Sequence, residues 1–248
     1  VSHKIESVKI LPPKGENPIR LYGAITEQAV ALAEISNPNA DRTLCMAVTS
    51  PYYNTEDGSP TSWSAAVDSI TSGANEKGEK RLFFVSAGNV FPSELSNIEY
   101  PNSSIIHGVE NPGQSWNAIT VGAVSNDIQI NSPTYKGFKP VADVGELSPY
   151  SSTSVTWDNK WPIKPEILLD GGNMATNGVD YTECEDLSIL TTYHKHLIRP
   201  FSTIHGTSSA TAQAAWMAAQ IYAEYPWIWP ETVRALLVHS ARWTNAMR

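Results

Sequence analysis

Short uninterrupted apolar runs restrict this chain more than any other feature. They are TLCMAVT at 43–49, LFFV at 82–85 and AITVGAV at 118–124, joined by KPEILL at 164–169, whose apolar part is its last half. Each is too short for a buried helix, is rich in β-branched and aromatic residues, and is followed by turn residues, which reads as a strand covered on both faces. Helical patterns alternate with these runs. The combination predicts an α/β fold with a mostly parallel sheet and helices on both faces.

The remaining elements follow from local signals. IESVKIL at 5–11 alternates and stops at Pro12-Pro13, predicting a strand. TEQAVALAEI at 26–35 predicts a helix with Thr26 as N-cap and Asn37-Pro38 as its stop. SWSAAVDSITS at 62–72 predicts a second helix before a polar turn at 73–80. Residues 90–118 read as a long surface loop, 125–165 as loop-rich with a turn at SPYSS, and 171–200 as a polar stretch. Two helices close the chain. The first, at 209–224, is alanine-rich and can pack closely. The second starts behind Pro230 and places Val233, Leu236, Leu237 and Ser240 on one face.

Composition narrows the class. With 248 residues, 41% hydrophobic and 17% charged, the chain has the make-up of a globular protein. Its net charge of −8 and the absence of a basic run argue against nucleic acid or an anionic membrane as the main partner. Cys45 and Cys184 lie far apart without metal spacing and read as buried thiols. No apolar stretch is long enough to span a bilayer.

Two turns carry chemistry. In HGTSSATAQAAW at 205–216, Ser208 stands at the mouth of a helix, where the dipole and free backbone N–H groups favour a developing oxyanion. An ordinary N-cap explains the same residues. In SAGN at 86–89, a strand delivers Asn89 to the carboxyl end of the sheet, where α/β proteins place ligands. An amide there donates without carrying charge. A turn asparagine beside glycine is the alternative.

Together these residues resemble the subtilisin-like serine proteases, the subtilases. GTSSATAQAAWMAA at 206–219 is similar to the family's nucleophile motif, and FFVSAGN at 83–89 to the strand carrying its oxyanion-hole asparagine. NAITVGAV at 117–124, LSPYSS at 147–152, KPEILLDGG at 164–172 and PWIWPETVRALLVHSA at 226–241 resemble later core segments in the family's order. ESVKILPPKG at 6–15 resembles the strand that follows the catalytic-histidine helix. The resemblance implies a serine endopeptidase acting through an acyl-enzyme on Ser208, with Asn89 in the oxyanion hole. It also implies a peptide substrate bound as an added strand beside Val48, Thr49 and Ser50, with Ser86, Ala87 and Gly88 walling the pocket for the residue before the scissile bond. Those small wall residues suggest a sizeable apolar side chain there. ENPGQSWNAITVGAV at 110–124 and SPYSSTSVTW at 148–157 are similar to a bacterial branch associated with AAA-type ATPase partners, which points to the bacterial cytoplasm.

The departures are informative. Ala212 and Gln213 replace the usual proline and histidine after GTSSAT, a variation in helix packing. The family's Asp-Ser/Thr-Gly and His-Gly-Thr-His motifs are both missing. His205 is nearest to Ser208, but no motif places an acid beside it. His194 and His196 form an HKH pair without a third metal ligand, and Asp170 in LLDGG reads as a turn residue. Calcium is common in the family, yet no acidic cluster here has ligand spacing, so neither metal nor cofactor is expected. Residues 1–248 are therefore expected to be a partial subtilase catalytic domain, inactive alone because its Asp and His lie upstream. The alternative is a pseudoprotease or a peptide- or partner-binding module on the same fold. An unrelated α/β hydrolase is excluded by the lack of a G-x-S-x-G elbow.

Overall fold

The computed structural model describes residues 3–51, 57–74 and 78–247. The chain enters through helix α1 (Tyr22–Ser36), then strand β1 (Thr43–Met46), helix α2 (Ser62–Ser72) and strand β2 (Leu82–Ser86). Two short helices follow, α3 (Pro92–Leu95) and α4 (Asn102–Ile106), before strand β3 (Ile119–Val124). Next come β4 (Lys139–Pro140), β5 (Ile167–Asp170), β6 (Met174–Thr176) and β7 (Tyr181–Glu183). A hairpin of β8 (Ile189–Thr192) and β9 (Phe201–Ile204) leads into the long helix α5 (Thr207–Glu224) and then α6 (Pro230–Ser240).

The four apolar runs form one parallel sheet in the order β1-β2-β3-β5. Side chains alternate across it. Leu82 and Phe84 pack with Ile119, Val121 and Ile167 against α5 and α6. Phe83 and Val85 face the other way, onto Val30 of α1 and Trp63, Val67 and Ile70 of α2. Burial on both faces is why these strands read as continuous apolar runs; it contributes roughly 2 kcal/mol for a side chain such as Phe84. On α5, Ala210, Ala214 and Ala218 recur at helical spacing and are fully buried, so the helix backbone lies close to the sheet. α2 is held at its start by a reciprocal cap: Thr61 Oγ1 accepts from Ser64 N at 3.0 Å and Ser64 Oγ accepts from Thr61 N at 2.8 Å.

Several expectations from the sequence need correction. Residues 5–11 form no strand: they run beside the domain without a ladder partner among the described residues, and Ile5 is 88% exposed. Thr26 is not an N-cap. The first helix begins at Tyr22, and Thr26 is buried within it, its hydroxyl donating to Tyr22 O at 2.8 Å and accepting from Trp63 Nε1. The span 90–118 is no simple surface loop, since it holds α3 and α4 and buries Val90, Leu95 and Val109. The polar stretch 171–200 contains β6, β7 and β8, paired through short antiparallel ladders that polar side chains disguise. On α6, Leu237 is 4% exposed but Leu236 is 46%, and Ser240 is exposed. The buried face is the pair Val233 and Leu237, one turn apart. Cys184 is buried as expected, whereas Cys45 is exposed on β1, the edge strand of the sheet. The polar turn expected at 73–80 lies partly outside the described residues; within them, Gly73 ends α2 at φ 69°. No helix among the described residues is long and apolar enough to cross a membrane.

Candidate active site

Three parallel strands deliver their carboxyl ends to one place. β2 runs into Ala87-Gly88-Asn89, β1 into Ala47-Val48-Thr49, and β5 into Gly171-Gly172. The last of these holds the turn before α5, because Gly171 O accepts from Gly206 N at 2.7 Å. Asp170 acts as a turn residue, its Oδ1 accepting from Gly172 N at 3.0 Å. Gly206 has φ 86°, and a Cβ there would fall 2.6 Å from Asn89 Oδ1. Only glycine satisfies both constraints.

This turn brings Ser208 and Asn89 together through Thr207. Asn89 Oδ1 accepts from Thr207 N at 2.8 Å and from Thr207 Oγ1 at 3.1 Å. A backbone N–H can only donate, so the amide oxygen must face it, and this fixes the amide's orientation. Nδ2 therefore points the other way, and it donates to no protein group among the described residues. Ser208, half-buried at the second position of α5, has a backbone N–H without an intrahelical acceptor. Its hydroxyl donates only weakly, to Ala47 O at 3.3 Å. An amide nitrogen and a helix N–H without protein acceptors among the described residues thus stand close in the chain to a loosely held hydroxyl. Asn89 is propped from behind, where residues 147–152 form a bridge between Ser151 and Asn89 and Tyr150 O accepts from Val90 N.

No histidine of the described residues bonds Ser208. His205 stacks on Tyr150, centroids 4.5 Å apart, and its Nε2 lies 3.3 Å from Glu183. His194 and His196 lie in the turn between β8 and β9, not on a strand, and no metal-holding group of three is formed among the described residues. Gln213 has a definite task. Its Nε2 donates to Asp170 O at 2.7 Å, tying α5 to the end of β5, while Ala212 beside it is exposed.

The expected substrate edges lie on either side. Ser50 N donates to Asn111 O at 2.9 Å in an isolated bridge, and Val48, Thr49 and Ser50 border a groove of about 370 Å³ with Ile10, Tyr22 and Trp63. Opposite, Ser86 is buried at the end of β2, as are Ala87 and Gly88 after it. Ala87 O accepts from Glu110 N at 2.8 Å. Gly88, at φ 104°, faces a side chain: a Cβ there would lie 2.5 Å from Glu110 Cγ. Glu110 also accepts a hydrogen bond from Thr49 Oγ1, and burial raises its carboxyl above the ordinary range. Glu110 thus links both edges. Sequence reasoning passed over it because it sits among Pro, Asn and Gly residues that read as surface loop.

The parallel sheet covered on both faces, with Ser208 at a helix mouth and Asn89 bonded to its neighbour Thr207, is an α/β arrangement of the subtilisin type. The chain belongs to the subtilase family: the family's model (Peptidase S8) matches residues 1–247. It is similar to S41 psychrophilic protease, at 22% identity and TM-score 0.51, over 92% of this chain and 57% of that one. Sphericase is similar at 23% identity and TM-score 0.50, with the same coverage of each chain. These structures share the fold. An uncharacterized protein of Sinorhizobium fredii, y4bN, is 26% identical over 200 residues, 75% of this chain and 45% of that protein. The chain therefore spans about half the length of the relatives it matches.

Proposed function

We propose that this chain is part of a serine endopeptidase in which Ser208 attacks the scissile carbonyl and Asn89 Nδ2, with the Ser208 backbone N–H, holds the oxyanion. One observation carries this reading: Asn89 Oδ1 is committed to Thr207 N, next to Ser208 in the chain, and Asn89 Nδ2 keeps no protein acceptor among the described residues. The site works by differential binding. The donors gain strength as the carbonyl oxygen becomes an oxyanion, in a setting partly shielded from water.

A serine hydroxyl needs a base, and none among the described residues bonds it. The base and its orienting acid come from outside residues 1–248, so residues 1–248 alone have essentially no peptidase turnover. The substrate is a peptide laid along Val48–Ser50 on one side and Ala87–Gly88 on the other. An AAA-type ATPase partner rests on the resemblance of residues 110–124 and 148–157 alone; its co-purification with the full-length protein is the direct check.

A fluorophosphonate probe tests the proposal. It is expected to label the full-length protein at Ser208, to fail with Ser208→Ala, and to leave residues 1–248 unlabelled at the rates of serine proteases. Labelling of residues 1–248 at such a rate would refute the external base. Absence of labelling in the full-length protein would favour the alternative, a peptide-binding module on the same fold.

A further inference from the structure

We infer that the β8–β9 ribbon is an association surface for a second copy of this chain. The two ribbons lie side by side in opposite directions, so that each cationic tip meets the acidic base of the other. Nothing in this depends on the peptidase reading.

The sequence sets the ribbon apart. Residues 189–204 read ILTTYHKHLIRPFSTI and contain no aspartate or glutamate, in a chain with 25 acidic residues and a net charge of −8. His194, Lys195, His196 and Arg199 gather at the tip, all exposed. Just before the ribbon, DYTECED at 180–186 supplies Asp180, Glu183, Glu185 and Asp186. One short element thus carries opposite charges at its two ends.

Those charges stay unmatched within the chain. Among the described residues neither Lys195 nor Arg199 forms an ion pair; Arg199 lies 4.4 Å from the Tyr193 ring centroid and donates to Ser202 Oγ at 3.2 Å. Asp180, Glu185 and Asp186 form none there either. The ribbon itself keeps them from the tip, because a strand of 4 extended residues spans roughly 13 Å.

The surface is also apolar and open. β8 and β9 are hydrogen-bonded to each other and to no third strand among the described residues. Leu190 pairs with Thr203 and Phe201 with Thr192, a register that puts exposed Leu190 and Phe201 on one face. At the tip, Leu197 is 91% exposed and Ile198 73%. A lone two-stranded ribbon is marginal in water, and two of them side by side make a four-stranded sheet. Both feet are fixed for such docking: Leu187 O accepts from Asn173 N at 2.8 Å and Gly171 O from Gly206 N at 2.7 Å.

Charge selects the orientation. A two-fold axis along the ribbons sets the cationic tips together, whereas one across them lays each tip beside the other copy's base. Only the second is attractive, and it makes the same contact twice. An anionic bilayer fits the tip alone, since a body with net charge −8 is repelled from it.

Sedimentation equilibrium of the full-length protein between about 1 and 100 μM tests this, a range suited to a small interface. A dimer that raised salt weakens is expected, and Lys195→Glu with Arg199→Glu should raise its Kd by at least about tenfold. Leu197→Ser with Ile198→Ser should weaken it as well. Glu185→Lys alone should also weaken it, yet restore the dimer when added to the two tip reversals. That recovery separates a lost contact from a lost fold. A monomer throughout the range, or a dimer that ignores the tip variants, overturns the inference. So does loss without recovery by Glu185→Lys, or a monomer that binds phosphatidylglycerol vesicles instead.

Discussion

Replacing Gly206 by alanine separates two costs that the nucleophile turn combines. At φ 86° a residue with a Cβ is strained, which costs about 1–2 kcal/mol. The new methyl would also sit 2.6 Å from Asn89 Oδ1, too close for either atom to stay. If the asparagine yields, the Thr207 N–H loses its acceptor, and a buried donor without a partner costs roughly 1–3 kcal/mol. Gly206→Ala is therefore expected to destabilise the full-length protein by about 2–5 kcal/mol. Gly137 and Gly178 provide the control. Their φ values of 89° and 94° are similar, but a Cβ at either would meet nothing within 4 Å. Gly137→Ala and Gly178→Ala should cost only the dihedral part, about 1–2 kcal/mol. The assay is urea or guanidinium unfolding of the three variants with the same probe, comparing midpoints at constant slope. Equal destabilisation in all three would refute the claim that Gly206 is required by Asn89. So would a Gly206→Ala protein that keeps full Ser208 reactivity.

Two further outcomes follow from the same geometry. If Asn89 Nδ2 holds the oxyanion as proposed, Asn89→Ala should lower kcat of the full-length protein by about 10²–10³-fold with little change in KM. Steady-state kinetics decide this, and a loss confined to KM would contradict the assignment. Lys164 is buried and pairs with Glu166, which also receives Thr120 N at 2.8 Å and Arg234 at 3.3 Å. Desolvation lowers the Lys164 pKa, so its charge depends on that partner. Glu166→Gln is expected to destabilise by about 3–5 kcal/mol, more than Lys164→Met, since the first leaves a buried cation uncompensated. Denaturant unfolding that ranked the two in the opposite order would disprove this.

Much of this architecture is legible in the residues themselves. LFFV, AITVGAV and ILL are apolar at nearly every position because helices cover both sheet faces, so pattern alone identifies them as interior strands. GTS before an alanine run, and GN after a strand, mark the two turns because helix mouths and strand ends impose steric demands within a few residues. The strands within 171–200 are not legible in the sequence because their ladders are short and their side chains polar. Alternation alone suggested a strand at 5–11, although a strand also needs a neighbour.

What only the tertiary structure decided concerns atoms far apart in the chain. Asn89 and Thr207 are 118 residues apart, and no local signal says that the amide oxygen is committed to a backbone N–H, leaving the nitrogen free. His205 is three residues from Ser208, yet it stacks on Tyr150 instead. Glu110 looked like loop, but hydrogen bonds to Ala87 and Thr49 set it between the two edges. Local sequence determines which backbone conformations are affordable. Which side chains meet is settled by how the strand ends converge, and that depends on the packing of the whole sheet.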